Sequence, residues 1–150
     1  MITDSLNTFA KSVALNTGAA GNYLVGDVID LQNVRDLGQG NPLYLVIQVD
    51  TAATSGGAAT ASFSLVSDAQ AAIATDGSAS VHITSPVFAK ADMTAGKSIL
   101  VATLPREGTA YERYLGILQT TAVAAFTAGK IDAFLTMDPA GWKAYPDGNN

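Results

Sequence analysis

The 150-residue sequence predicts an all-β fold, a jelly-roll-like antiparallel β-sandwich of about seven to nine strands, and three observations predict it. Apolar and polar residues alternate with period two in several separate stretches, the spacing of a strand with one buried face. These stretches are punctuated by Gly, Pro, Asn and Asp at intervals of roughly ten residues. No segment repeats another at a fixed period, which disfavours a propeller or solenoid. The length fits a single domain over residues 1–150, able to bury roughly 68–70% of the surface of its unfolded chain.

In chain order, residues 1–13 have two readings. Ile2, Leu6, Phe9 and Val13 recur at spacings of four, three and four, which suits a short amphipathic helix, while Asn7, Thr8 and Ser12 weaken it. The competing reading is an extended arm laid over a neighbouring surface. Residues 16–21 form a Gly/Ala/Asn loop, and Tyr23–Val25 and Val28–Leu31 read as short strands broken by Gly26-Asp27. An irregular connection holding Arg35 and Asp36 closes at Pro42.

Leu43–Asp50 is the clearest strand, with Leu43, Leu45, Ile47 and Val49 on one face. Because Tyr44 and Val46 make the other face partly apolar, it is expected at the centre of its sheet. Thr51–Ala59 reads as a loop of small residues leading to Thr60–Ser67, where Ala61, Phe63 and Leu65 point inward, so these two strands are expected to form a long hairpin. Residues 68–75 fit one helical turn or a loop. Val81–Thr84 and Val87–Ala89 flank Ser85-Pro86, an edge-strand signature because proline cannot donate to a ladder. Ser98–Leu104 is a strand stopped by Pro105.

Tyr111–Asp138 organises the rest of the chain. It reads as two strands joined by a tight turn at Thr127–Lys130, with Ile131, Ala133, Leu135 and Met137 on one face of the second strand. Residues 139–150 form an irregular tail rich in Pro and Gly.

Composition narrows the function. The chain has no cysteine, so disulfides, thiolate metal sites and thiol nucleophiles are absent. Eight Lys and Arg against thirteen Asp and Glu give a net charge of −5, with no basic stripe, which argues against direct nucleic-acid binding. No apolar run approaches the roughly 20 residues of a bilayer span, and the N-terminus lacks the pattern of a signal peptide, so a soluble protein with no membrane partner is expected. A charged fraction of only 14% has two readings: small polar residues solvate the sheet surfaces, or a partner covers part of them.

No catalytic motif emerges. His82 is the only histidine, alone on a Val-His-Ile strand, and reads as a surface or satisfied core residue. No Gly-x-Ser-x-Gly elbow presents a serine. Asp27 with Asp30, and Asp132 with Asp138, lack the dense oxygen spacing of a calcium loop. No phosphate cradle is completed by Gly-Lys-Ser/Thr. No enzyme, cofactor or metal is expected. Two groups invite attention instead. Arg106, Glu107, Glu112 and Arg113 gather around Gly108-Thr109-Ala110, either as a solvated turn or as a docking loop. Trp142 and Tyr145 in the tail either close one end of the sandwich or anchor a partner.

The ordered set Val28-Ile29-Asp30-Leu31, Arg35-Asp36-Leu37-Gly38, Pro42 to Asp50, Arg113-Tyr114-Leu115-Gly116 and Phe126 to Ile131 resembles the capsid cement, or decoration, protein family of tailed bacteriophages, of the Bordetella-phage type. The resemblance covers most of the chain from Ile2 to about Asp138; residues 16–26 and the tail after Pro139 are individual to this sequence. It implies a jelly-roll-like sandwich that binds the outer face of an icosahedral head built from a major capsid protein with an HK97-like fold. It further implies a homo-oligomer, typically a dimer, that bridges shell subunits on the virion surface after synthesis in the bacterial cytoplasm. Because terminal arms and loops at the ends of a sandwich carry binding, the expected capsid or oligomer contacts are Phe9 within residues 1–13, Arg35 and Asp36, Arg106 and Arg113, and the aromatics Trp142 and Tyr145. A carbohydrate-binding jelly roll using Tyr111, Tyr114, Trp142 and Tyr145 is the alternative, with a tail or head-completion component a third reading.

Overall fold

The computed structural model describes residues 5–32 and 42–139. After a single 3-10 turn at Ser5–Asn7, the chain forms nine strands: β1 (Thr8–Ala14), β2 (Gly21–Asp30), β3 (Tyr44–Thr54), β4 (Thr60–Asp68), β5 (Ser80–Thr84), β6 (Phe88–Ala89), β7 (Ser98–Thr103), β8 (Tyr114–Ala122) and β9 (Ala128–Thr136). A second 3-10 turn, Lys90–Asp92, follows β6.

The strands form two antiparallel sheets. One has the order β1-β9-β3-β7; the other has the order β2-β8-β4-β5, with β6 also paired to β4. Except along β4-β5-β6, each strand is followed by one in the opposite sheet, so the long ladders join segments distant in sequence. Val46 faces Phe134 and Leu65 faces Ile117 across these ladders. This interleaving of a four-strand and a five-strand sheet is the jelly-roll arrangement of a β-sandwich.

The inner faces follow the period-two reading. Leu45, Ile47 and Val49 on β3, Ala61, Phe63 and Leu65 on β4, and Ile131, Ala133 and Leu135 on β9 all enter one core with Phe9, Leu115 and Ile117. Apolar burial at roughly 25 cal/mol per Å² makes this shared core the main cohesive term between the sheets. β3 lies between β9 and β7, and Val46 on its other face is also buried, as its two-sided apolar pattern requires. β5 is an edge strand, and the chain leaves it through Ser85-Pro86. A smaller apolar cluster forms outside the second sheet, where Ile73 and Ala79 of the β4–β5 connection pack with Val66 and Leu118.

Four expectations are corrected. β3 and β4 do not form a hairpin; they belong to different sheets, and β3 continues through Thr51–Thr54, pairing Thr51 with Lys130 and Thr54 with Ala128. β8 and β9 likewise lie in different sheets, and Ala128-Gly129 sits inside β9 rather than in a turn. Gly129 takes φ 136°, and a Cβ there would lie 2.9 Å from the Ala53 Cα, so glycine serves a close approach of two backbones. β2 is one strand, not two, because its ladder to β8 resumes at Ile29 after a register shift beyond Val25. Residues 8–13 do not form the amphipathic helix; they are extended, as in the competing reading, and the surface they lie on is this chain's own β9, with which β1 pairs through two register shifts. A spacing of four places Phe9 and Val13 on one face in a strand as well as in a helix, and the neighbouring strand decides which forms.

Polar groups in the interior are satisfied. Gln119 is fully buried, and its amide donates to the Asn16 carbonyl at 3.1 Å and to Thr121 Oγ1 at 2.7 Å, while its Oε1 accepts the Asn16 N–H at 2.9 Å. This ties the β1–β2 loop to β8. Among the described residues, no buried side-chain nitrogen or oxygen lacks a partner.

Candidate functional site

The ladders divide the connections between two poles of the sandwich. In the first sheet, Thr8 faces Phe134, and Tyr44 faces both Thr136 and Thr103, so β1 and β3 start where β7 and β9 end. In the second sheet, Tyr114 faces both Asp30 and Asp68, and Ser67 faces Ser80, so β5 and β8 start where β2 and β4 end. The β7–β8 connection joins the two rows. One pole therefore carries the start of β1, the end of β9, the end of β2, the start of β3 and the β4–β5 and β7–β8 connections.

The β7–β8 connection is pinned at both ends. Leu104 donates its N–H to the Leu43 carbonyl at 2.8 Å, and the Tyr111 hydroxyl donates to the Pro105 carbonyl at 3.1 Å. Tyr111 is buried, while Arg106 to Ala110 are exposed. At its far end Arg113 grips Asp30 with a two-pronged contact, Nε to Oδ1 at 2.8 Å and Nη2 to Oδ2 at 2.9 Å. Asp30 also accepts the Gln32 N–H at 2.7 Å. The Arg113 hydrogen bonds, followed by the Gln32 N–H, hold the Asp30 carboxyl below the usual carboxylate range. The guanidinium lies 4.9 Å from the centre of the Tyr114 ring. Both partners are well exposed, with side-chain accessibilities of 46% and 39%, so the pair orients the arginine more than it stabilises the fold.

Next to this fork lies a second cluster. The His82 and Tyr111 rings stack with centroids 4.0 Å apart and planes inclined by 20°. His82 Nε2 is 2.7 Å from the Ser67 hydroxyl, which also accepts the Glu112 N–H at 3.1 Å, and Ser80 donates to Glu112 Oε1 at 2.8 Å. Burial lowers the His82 pKa below its ordinary value, against the opposing pull of Glu112. His82 is thus a satisfied, partly buried residue rather than a surface one.

The structure brings some of the expected contact residues together and separates others. Arg106 and Arg113 lie on the same connection at this pole. The connection holding Arg35 and Asp36 lies outside the described residues, but its flanks, Gln32 and Pro42, belong to the same pole. Trp142 and Tyr145 also lie outside the described residues; they follow β9, which ends here. Phe9 does not belong to a contact surface: it is fully buried between the sheets, because an edge-strand phenylalanine on the inner face fills the core. The expected cluster of Arg106, Glu107, Glu112 and Arg113 does not pair within itself at Arg113, whose partner is Asp30, 83 residues away in sequence. Asp30, Ser67 and Ser80 join the site only through the fold, so their sequence neighbours carry no signal for it.

Two large apolar side chains are exposed where the described chain meets this pole, Leu6 at 77% and Met137 at 68%. Met137 was expected on the inner face, but β9 ends at Thr136 and the alternation stops with it. Among the described residues, no three His, Asp or Glu side chains gather as ligands for a metal ion, and no helix is long and apolar enough to cross a membrane.

Asp30, Asp68 and Asp76 all titrate below the ordinary aspartate value of 3.8; Asp68 does so because it accepts the backbone N–H groups of Ala74 and Gln70. A lowered folded-state pKa contributes stability that is present above 3.8 and lost as pH falls below it. The urea midpoint should therefore fall in that acid range, by an amount that solvent screening of these exposed carboxylates keeps small. Asp68→Asn should flatten part of the drop, and an unchanged acid profile would remove Asp68 from the account.

The fold is that of a jelly-roll β-sandwich with the start of β1, the end of β9 and the β4–β5 and β7–β8 connections at one pole. The family model of Bbp16 matches residues 9–135, from the second residue of β1 to the penultimate residue of β9. The chain belongs to the Bbp16 family, a phage-related family whose name is that of a Bordetella phage protein. No curated protein matches the chain.

Proposed function

We propose that this protein is a virion structural component, a cement protein that binds the outer surface of an icosahedral phage head and braces it by bridging neighbouring major capsid protein subunits of HK97-like fold. The observation that carries the reading is a jelly-roll sandwich of a phage-related family in which the start of β1, the end of β9 and the β7–β8 connection, with Arg106 and Arg113, lie at one pole. Its work is mechanical, not catalytic. The sandwich is the rigid body, and the pole is the surface that meets the shell. Arg113 is already oriented by Asp30, so it loses little side-chain freedom on meeting a carboxylate of the partner. Leu6 and Met137 add apolar contact area. Self-association lets one oligomer engage two shell sites, and linked contacts gain about 10²–10⁴ over single ones. A net charge of −5 keeps the protein off packaged DNA.

Co-sedimentation with heads of the cognate phage, before and after expansion, tests this directly. Saturable binding at hundreds of copies per expanded head is expected. No binding by a well-folded chain would overturn the reading. Arg113→Ala and Arg35→Ala should each weaken binding about tenfold without changing the fold, with a weaker interaction at high salt. If both variants bind heads as tightly as the unaltered protein, the placement of the contact pole is wrong.

A further inference from the structure

We propose that Ser67, His82 and Glu112 form a proton-operated latch that holds the β7–β8 connection against β4 and β5 while the imidazole is neutral and releases it when the ring is protonated. The geometry begins in the backbone. In the β4–β5 ladder Leu65 faces Ile83, but Val66 faces Val81, so His82 is the extra residue at a register shift. Such a shift re-aims a side chain. Here the ring reaches Ser67 and lies flat on Tyr111.

Hydrogen-bond bookkeeping then sets the protonation state. Ser67 is fully buried, and its hydroxyl oxygen already accepts the Glu112 N–H. With a neutral ring whose Nε2 carries a lone pair, the hydroxyl hydrogen goes to His82, and Nε2, the hydroxyl and the Glu112 N–H are all satisfied. With a protonated ring, Nε2–H and the Glu112 N–H both point at the same oxygen. The hydroxyl hydrogen then loses Nε2 as its acceptor, and a buried unpaired donor is costly. The charged ring has an alternative partner close by, the Glu112 carboxylate, which Ser80 now holds. Turning to that carboxylate leaves the connection held by one ion pair in place of the Tyr111 stack and the Ser80 hydrogen bond, and so loosens Tyr111 and Glu112.

The groups around the ring come from three elements. The β7–β8 connection contributes Tyr111 and Glu112. β4 contributes Ser67, and beside it Asp68, whose carboxylate is committed to the Gln70 and Ala74 N–H groups. β5 adds no other charge. The sign follows from burial outweighing the pull of Glu112. The stabilisation by the neutral ring is complete above about pH 6.5 and falls away as pH drops from there through the lower folded-state value. The connection that is released carries Arg106 and leads into Arg113. Its consequence for head binding rests on the function proposed above; the latch itself does not.

His82 is the only histidine, so its ring proton resonances can be followed without ambiguity by NMR. The free protein should show a His82 midpoint below 6.5. The Glu112 amide, corrected for intrinsic exchange, should lose about tenfold or more of its hydrogen-exchange protection between about pH 7.5 and pH 5. His82→Gln should abolish that pH dependence. Ser67→Ala, which removes the shared oxygen, should raise the His82 midpoint and weaken Glu112 protection at neutral pH. A midpoint at or above 6.5, or Glu112 protection that is the same at both pH values, would overturn the latch. These readouts use the free chain, so loss of the latch and loss of head binding are separate results.

Discussion

Replacing Phe9 with alanine should lower the stability of this protein by about 3–5 kcal/mol, a large part of the 5–15 kcal/mol typical of a folded domain. The ring is fully buried in the core shared by the two sheets, although β1 itself is an edge strand. Truncation removes aromatic contact area and leaves a cavity that cannot readily collapse. β1 is fixed by its ladder to β9, and Leu15 donates its N–H to the Gly129 carbonyl at 2.9 Å. Urea unfolding at neutral pH measures the loss. The same variant separates a core residue from a contact residue. Protein that remains folded should bind heads like the unaltered chain, whereas weakened binding with unchanged stability would return Phe9 to the contact surface.

Gly26→Ala should be comparably damaging for a different reason. Gly26 takes φ 79°, in the left-handed region where a side chain costs about 1–3 kcal/mol. An added Cβ would overlap the carbonyl oxygen of Phe9 and lie 2.9 Å from its carbonyl carbon. The obstacle is backbone, so no rotamer change relieves it. Gly26 lies on β2 and Phe9 on β1, which belong to different sheets; the overlap would separate the sandwich along the seam where its two edges meet. Gly21→Ala is the control. Its φ is not positive, and a Cβ would meet only the Tyr23 side chain at ordinary distances of 3.5–3.7 Å. A urea midpoint for Gly26→Ala equal to that of Gly21→Ala would mean that the seam has slack.

Much of the fold was legible in the residues because strand burial is a local property. Alternation over a few residues determines which side chains point the same way, and it placed Leu45, Ile47 and Val49, then Ala61, Phe63 and Leu65, then Ile131, Ala133 and Leu135 on inner faces. The two-sided apolar pattern of β3 marked a central strand, and Ser85-Pro86 marked an edge. The jelly-roll form came from the family resemblance joined to those patterns. Of the expected contact residues, Arg106 and Arg113 were legible as a polar cluster on one connection.

The sequence by itself determined the strands, their inward faces and the Cys-free, acidic, low-charge character of the chain. Only the tertiary structure decided which strand pairs with which. Period two is the same in a hairpin and in a strand that crosses to the opposite sheet, so β3 with β4 and β8 with β9 read as hairpins from sequence alone. The same limit hid the grip of Arg113 on Asp30 and the contact of His82 with Ser67, which depend on ladder register. It also drew Phe9 outward in the sequence reading, because a terminal segment becomes part of the core only when β9 offers it an edge to pair with. Direction along a strand is written in neighbouring residues, whereas partnership is settled by closing one core between two sheets.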